Sequence, residues 1–423
     1  MINKTTFKSG LRLLTIPEKN TTTATVVALV GTGSKYEEKR INGVSHFLEH
    51  MFFKGTKNRP TSFDVVAPIE NVGGIFNAFT TQDVTGYFVK VDARHVDMAL
   101  EIVADIFLNS VFSQEEIEKE KGVVIEEINM RKDAPQTRVW DLWEQVILGD
   151  QPAGWDVAGT KESVSGLKRE DIVGYVNSQY VAKNTVIAVA GNIQEEKMAE
   201  RVESLFQNVA TGEFKPKYPV VPYRMDPPVF LETRKTDQTH LALGVMARNA
   251  FHKDRYAQDI LAGILGDGMS SRMFMEIREK MGLAYYIYTA SRKDPDTGFL
   301  ATFAGVKNEY AERAVAAIVE EYRRIKDVRV SSQELRNGKD KALGGLAMRL
   351  EPSEVQAEFY GMQEVLENRF FSPEEVYGMI EEVTVQDIQR VAQELFSAGN
   401  LRLVAVGPGD NKESLEGLLS RAT

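Results

Sequence analysis

Histidine is scarce in this chain of 423 residues, five in all, yet two histidines stand four positions apart with a glutamate between them. The segment reads His46-Phe-Leu-Glu49-His50, inside a helical pattern that begins near Asn42 and ends near Gly55. On an α-helix positions 46, 49 and 50 share one face, so both imidazoles can reach one cation while a carboxylate lies beside it. Two neutral imidazoles suit a borderline cation such as zinc. The pattern predicts a metal site with an adjoining general base.

A catalytic zinc site needs a third protein ligand and one open position. The chain has no cysteine, which excludes thiolate ligands, disulfides and a Cys nucleophile. The third ligand must come from an Asp or Glu side chain or from one of the remaining histidines, His95, His240 and His252. The alternative is a pair of hydrogen-bonded histidines on a solvated helix face, but His-x-x-Glu-His rarely arises by chance, which favours a metal site.

Composition narrows the class of protein. Apolar residues make up 43% of the chain and charged residues 26%, as in ordinary folded globular proteins. The net charge of −10 disfavours a nucleic-acid partner and favours basic ones. The polar start of the chain shows no export signal, and no apolar run approaches the ~18 residues of a membrane span. The expectation is a cytoplasmic protein with no membrane association.

An internal repeat organises the elements that must position the motif. Residues 164–193 align with 380–409 at a constant offset of 216 without a gap, placing Asp387 on Asp171 and Asn400 on Asn184. Each copy reads as a helix, a loop and an apolar strand that ends in glycine. Two homologous halves are therefore predicted.

Between the halves lies a proline-rich stretch that suits an extended linker. Within each half, neighbouring strands stand beside long helices, which predicts an α+β fold of two homologous domains, each a mostly antiparallel β-sheet packed with α-helices. The predicted boundaries are 1–211 for the domain with the metal motif, 212–224 for the linker and 225–423 for a domain that lacks the motif.

The segment Gly43-Val-Ser-His-Phe-Leu-Glu-His-Met-Phe-Phe-Lys-Gly-Thr56 resembles the signature of the pitrilysin/insulin-degrading-enzyme clan of zinc peptidases, family M16, in its short-chain branch. That branch includes the mitochondrial processing peptidases and their bacterial homologues. The resemblance implies one Zn²⁺ per chain, held by three ligands, the third of which falls on a distant glutamate at the family's spacing: His46, His50 and Glu127. It also implies Glu49 as catalytic base and Glu120 as an outer residue that orients a ligand.

Two further matches concern the substrate. Arg278-Glu-Lys-Met-Gly-Leu-Ala-Tyr285 is similar to a family segment whose arginine and tyrosine help to hold the substrate carbonyl, which makes Arg278 and Tyr285 candidate catalytic residues. Gly73-Gly-Ile-Phe-Asn-Ala-Phe-Thr80 is similar to the family's edge strand, on which a peptide lies as an added strand. The resemblance makes Asn77 and Ala78 candidate substrate-binding residues. The alternatives are a surface arginine, a core tyrosine and an ordinary hairpin.

One position departs from the resemblance. In the processing peptidases a glutamate and an aspartate recognise a basic substrate residue, and this chain has Asp141 at the second place but Thr137 at the first. A narrow presequence-like specificity is therefore weakened, although Asp141 stays a candidate substrate contact.

The resemblance implies a zinc metalloendopeptidase that cleaves unfolded oligopeptides or extended segments, basic ones included, inside a chamber of four such domains. Since one chain supplies two domains, a homodimer is expected, with Arg278 and Tyr285 of one subunit serving the zinc of the other. One alternative is a subunit of a heteromeric processing peptidase, active only with a partner chain. Another is a structural zinc protein, which the open coordination position and Glu49 disfavour.

Overall fold

The structure is a computed structural model that describes residues 2–409 and 411–420. Its strands are β1 Asn3–Thr6, β2 Arg12–Pro17, β3 Thr23–Val30, β4 Ile75–Thr80, β5 Thr85–Asp92, β6 Thr185–Gly191, β7 Val229–Thr233, β8 Gln238–Met246, β9 Ala284–Lys293, β10 Gly298–Lys307 and β11 Arg402–Gly407. Its α-helices are α1 Val44–Met51, α2 Ser62–Glu70, α3 Val96–Asn109, α4 Gln114–Asp133, α5 Pro135–Leu148, α6 Lys161–Ser165, α7 Arg169–Gln179, α8 Glu195–Leu205, α9 Arg255–Gly266, α10 Ala311–Asp327, α11 Ser332–Arg349, α12 Ser353–Glu367, α13 Pro373–Glu381, α14 Val385–Leu395 and α15 Lys412–Ser420.

The chain forms two compact units, each assembled from three separate segments. Unit 1 comprises Met1–Asn129, Trp155–Tyr218 and Ala347–Phe371. Unit 2 comprises Met130–Gly154, Pro219–Leu346 and Ser372–Thr423.

Unit 1 is built on a six-stranded sheet in the order β1-β2-β6-β3-β5-β4. Every neighbouring pair is antiparallel except β2 and β6. Because alternate residues of a strand face opposite sides, β3 buries Val26 and Ala28 in one apolar cluster and Val27 and Leu29 in another. The first cluster lies under the helices that include α1 and α3, and the second lies under α12.

Unit 2 repeats this plan with a five-stranded sheet in the order β7-β11-β8-β10-β9, in which only the pair of β7 and β11 is parallel. Helix α5 covers one face and packs Val139, Leu142 and Trp143 against the sheet residues Ala242 and Phe303. Helices α9 and α10 contact the sheet as well, and α14 packs on both of them.

The predicted fold class is confirmed, since both units are α+β with largely antiparallel sheets. The repeated elements recur in the predicted order, α7 and β6 in unit 1 and α14 and β11 in unit 2. The linker prediction, residues 212–224, falls on a stretch without helix or strand.

The compact units do not follow a single cut in the chain. Helix α12 comes from the second half of the sequence and belongs to unit 1, whereas α5 comes from the first half and belongs to unit 2. A single division at 212–224 therefore does not separate the two compact units. The reason is that each sheet is apolar on both faces and needs a helix on the second face.

Among the described residues, no helix combines the length and the hydropathy needed to cross a membrane.

Candidate metal centre

Helix α1 presents the metal motif because its apolar residues occupy the opposite face. Phe47, Leu48 and Met51 are fully or almost fully buried in the core of unit 1. This leaves His46, Glu49 and His50 on the side that solvent reaches, as the spacing predicts. Gly43 precedes the helix with φ of 95°, a left-handed conformation that glycine adopts without strain.

Helix α4 supplies the carboxylates. Glu120 and Glu127 lie seven positions apart, two turns along one face, with Glu120 buried and the Glu127 side chain 39% exposed. One oxygen of Glu127, Oε2, lies 3.6 Å from His46 Nε2 and 3.6 Å from His50 Nε2. The structure therefore brings Glu127, not its exposed neighbour Glu126, to the two imidazoles.

These three residues fit a zinc ion by their chemistry and their spacing. His46, His50 and Glu127 each offer a ligand atom, and the three atoms lie within 4.8 Å of one another. The His50 Nδ1–H donates to Glu120 Oε1 at 2.8 Å, which directs the other ring nitrogen, Nε2, towards the group. Two imidazoles and one carboxylate are the donor set of a catalytic zinc site, and the partly exposed side of the group leaves room for an open coordination position.

The electrostatics of the group favour a cation. Burial disfavours a charged His50, but the carboxylates of Glu120 and Glu127 outweigh it and raise the pKa of His50 to about 9. Burial would raise the pKa of Glu120, yet its bonds to His50 and to Lys54, whose Nζ lies at 2.6 Å, lower it overall. The group therefore gathers negative charge around two imidazoles.

Glu49 differs from the other carboxylates of the centre. Burial raises the pKa of Glu49, and the nearby Glu127 charge acts in the same direction, against a hydrogen bond from Thr80 and the charge of His50. A carboxyl group whose pKa is moved towards neutrality is suited to accept and return a proton.

The edge strand β4 lies beside this centre in unit 1. Its inner side pairs with β5, and among the described residues it has no strand on its outer side. Asn77 is exposed, and its side-chain oxygen accepts from the Ala78 N–H at 2.9 Å, so this amide lies outside the β4–β5 ladder. Thr80, at the end of β4, donates from its hydroxyl to the Ser45 carbonyl of α1 at 3.5 Å. Strand β4 can therefore offer backbone groups to an extended chain.

Three predicted substrate residues belong to unit 2. Arg278 is exposed in a π-helical segment, where its guanidinium stacks 4.6 Å from the Phe274 ring. Tyr285 is 51% exposed near the start of β9. Asp141 lies on α5, almost fully buried, and accepts from Arg131 Nη2 at 2.7 Å.

In unit 2, helix α9 turns apolar residues towards α11. A side chain placed on Gly338 of α11 would lie within 3.4 Å of Ile260 and Ile264 of α9, two residues with the same spacing as His46 and His50. That the second half lacks the metal motif stays a prediction.

Sequence reasoning missed three residues that contact the centre or its helix. Lys54 and Thr80 stand in segments that the resemblance covers, but nothing in their spacing assigned them a contact. Glu37 lies before the motif and bonds to the backbone at the start of α1. The sequence signal for Glu37 is a carboxylate a few residues before a helix whose cap is glycine, because a glycine cap has no side chain to accept the first N–H groups.

Comparisons with known proteins agree with this architecture. The family model described as insulinase (peptidase family M16) matches residues 12–161, and the model described as peptidase M16 inactive domain matches residues 166–342. An uncharacterized zinc protease of Bacillus subtilis is 32% identical over 98% of this chain and 100% of that protein. Another uncharacterized zinc protease, from Mycobacterium leprae, is 32% identical over 97% of this chain and 93% of that protein.

Solved structures give the same result. A protease from Helicobacter pylori has a TM-score of 0.87 and 25% identity, covering 96% of this chain and 99% of that one. An M16-like peptidase from Alicyclobacillus acidocaldarius has a TM-score of 0.85 at 19% identity, covering 96% and 98%, and shows the fold alone. The chain belongs to peptidase family M16, the insulinase family.

Proposed function

We propose that this protein is a zinc-dependent metalloendopeptidase that cleaves unfolded oligopeptides or extended segments by attack of water on the peptide carbonyl. The observation that carries the proposal is the convergence of His46, His50 and Glu127 within 4.8 Å, with Glu49 on the same helix face. The relatives that are called zinc proteases support it.

Each residue of the centre has a role in this proposal. His46, His50 and Glu127 would hold one Zn²⁺ per chain. When bound, zinc lowers the pKa of a water molecule and polarises the scissile carbonyl. Glu49 accepts a proton from the attacking water and returns it to the leaving amine. Burial raises the pKa of Glu49, which suits it to this exchange. Glu120 keeps the His50 Nδ1 protonated and the ring orientation constant.

The substrate is proposed to bind as an added strand on β4, with Asn77 and Ala78 at the contact. Recognition through backbone groups suits a peptidase of broad sequence tolerance. Arg278 and Tyr285 are proposed to stabilise the negative charge that develops on the substrate carbonyl. Asp141 would take a basic substrate residue only by competing with Arg131, which already donates to it.

The proposed assembly is a homodimer in which the four domains enclose a chamber. Arg278 and Tyr285 of one subunit would then serve the centre of the other. A second candidate is a subunit that requires a partner chain, favoured by the match of residues 166–342 to a model described as an inactive domain. The first candidate is preferred because this chain carries all three predicted ligands and Glu49.

The experiment that tests the proposal measures zinc content, oligomeric mass and cleavage of a quenched basic decapeptide on the purified chain, before and after chelation. We expect about one zinc per chain, a dimer and cleavage that a chelator abolishes. The Glu49→Gln variant should keep its zinc and lose about 10²–10⁴-fold in kcat. Unchanged cleavage by this variant contradicts the proposed base. Zinc without any cleavage by the wild-type chain would instead favour the partner-dependent subunit.

A further inference from the structure

The start of the metal helix α1 is held by a carboxylate from outside the helix. Its cap residue, Gly43, has no side chain to accept the first N–H groups. Glu37 takes this role: its Oε2 accepts from the Gly43 N–H at 2.7 Å, and its Oε1 accepts from the Ser45 N–H at 2.8 Å. The Asn42 side-chain amide also donates to Oε2, at 2.9 Å.

Glu37 is fully buried, with 0% of the residue exposed. Burial raises the pKa of Glu37 overall, although the hydrogen-bond donors around it act in the opposite direction. A carboxylate in such a place is costly unless hydrogen bonds compensate, and here backbone and side-chain donors surround both oxygens. The positive end of the helix dipole adds to this compensation.

The segment that carries Glu37 is also bonded to the turn that follows the peptide-binding edge strand. Lys35, likewise fully buried, places its Nζ 2.8 Å from Asp83 in the turn between β4 and β5. The Lys35 N–H donates to the Gln82 carbonyl at 3.0 Å. Residues 34–37 thus join the turn after β4 at one end to the first turn of α1 at the other.

The first turn of α1 contains one of the proposed zinc ligands. The residues in order are Val44, Ser45 and His46, so the N–H that Glu37 Oε1 accepts belongs to the residue directly before His46. His50 lies in the last turn and has its own support from Glu120. Loss of the Glu37 bonds would therefore loosen the half of the helix that carries His46 and leave the His50 contact in place.

We propose that Glu37 is a positioning residue of the metal centre, which fixes the first turn of α1, and with it His46, relative to β4. This inference rests on the proposed function, because it assumes that His46 is a zinc ligand. Glu37 itself would touch neither metal nor substrate. Its role is to keep the ligand and the peptide-binding edge in one geometry.

The test compares two neighbouring glutamates. Glu37→Gln places an NH₂ group among N–H donors and removes one acceptor, so we expect zinc affinity to fall about tenfold or more. Amide hydrogen exchange at residues 44–47 should accelerate in the metal-free protein. Glu38→Gln makes the same chemical change one position along, where the carboxylate is exposed and pairs with Lys215 at 2.8 Å, and should leave both measurements at the wild-type level. Affinity is measured by competition with a chromophoric chelator, without any substrate.

A second comparison separates positioning from general destabilisation. Glu364 is a fully buried carboxylate of unit 1 that pairs with Lys4 and Arg12. Among the described residues it makes no hydrogen bond or ion pair with α1, so Glu364→Gln should lower thermal stability without weakening zinc binding. If zinc affinity follows stability equally in Glu364→Gln and Glu37→Gln, the positioning role is overturned. If Glu37→Gln does not fold, Glu37→Asp, which keeps the charge and shortens the reach, decides by the same measurement.

Two outcomes distinguish this inference from the proposed function. A folded Glu37 variant that binds zinc as tightly as the wild-type chain overturns the positioning role alone. A wild-type chain that binds no zinc overturns the peptidase proposal and this inference with it.

Discussion

At the scale of single residues, glutamates that are equivalent by composition differ in burial and in the groups they contact. Helix α4 carries many glutamates, and the residues alone do not rank them. In the structure Glu120 is buried against His50 and Lys54, Glu127 reaches both imidazoles, and Glu126 is exposed beside Asn129. Burial and distance therefore give each carboxylate its own chemistry.

Adjacent glutamates on α4 provide a residue-scale test of the ligand set. Glu127→Gln should weaken zinc binding by more than the about 10–100-fold that loss of an outer hydrogen-bond partner costs, because it removes a proposed ligand. Glu126→Gln should bind zinc like the wild-type chain. Chelator competition and metal content measure both variants, and equal zinc affinity of the two would contradict the assignment of Glu127.

At the scale of elements, the loop that follows α1 is hydrogen-bonded to α3 through one buried aspartate, Asp105. Asp105 accepts from Thr56 Oγ1, Asn58 Nδ2 and Arg59 Nη1, each at 2.6 Å. Burial alone would raise the pKa of Asp105, but these donors and Asn109 lower it overall. Glu37 therefore holds the start of α1, and Asp105 holds the loop that follows this helix.

The lowered pKa of Asp105 has a definite pH dependence. A carboxyl group whose pKa is lower in the folded state stabilises that state above its unfolded pKa of ~3.9, and the contribution is lost as pH falls through the folded value. Asp105→Asn should lose about 1–3 kcal/mol of stability at pH 7 and lose less than the wild-type chain on further acidification below pH 4. Thermal unfolding followed at both pH values checks this, and identical acid sensitivity of the two proteins would refute it.

The edge strand allows a second element-scale prediction. Proline at position 78 removes an N–H that lies outside the β4–β5 ladder, and edge strands tolerate proline. Ala78→Pro should raise KM for an extended peptide about 3- to 10-fold, the value of one hydrogen bond, with zinc content unchanged. Steady-state kinetics measure the effect. An unaltered KM would argue against an added strand at this position.

At the scale of the whole molecule, the proposed homodimer predicts complementation. Chains with Glu49→Gln and chains with Arg278→Ala should each be inactive alone. If Arg278 serves the partner subunit's centre, a mixed dimer contains one complete site, formed by the intact Glu49 of one chain and the intact Arg278 of the other. Partial activity should therefore return after the two variants are mixed, unfolded and refolded together. No recovery in verified mixed dimers would show that each chain completes its own site or that Arg278 has another role.

Much of the fold and of the centre could be predicted from the sequence because the signals are local. The spacing of His46, Glu49 and His50 places them on one helix face wherever that helix packs. The alternation in β3 and β5 and the repeated segments 164–193 and 380–409 predict two similar α+β halves. A prediction of this kind needs only the period of the backbone and the pattern of apolar residues.

Only the tertiary structure decided which distant segments meet. A sheet that is apolar on both faces needs a helix on its second face, but the apolar pattern does not specify which helix packs there. The assignment of α5 to unit 2 and of α12 to unit 1 could therefore not be predicted from the sequence. The 3.6 Å approach of Glu127 to both imidazoles, and the burial of Glu37 under the start of α1, also depend on long-range packing. The sequence by itself determined the chemistry available on each element, whereas the fold decided which of these groups share a site, because contacts across the chain are set by packing and not by local period.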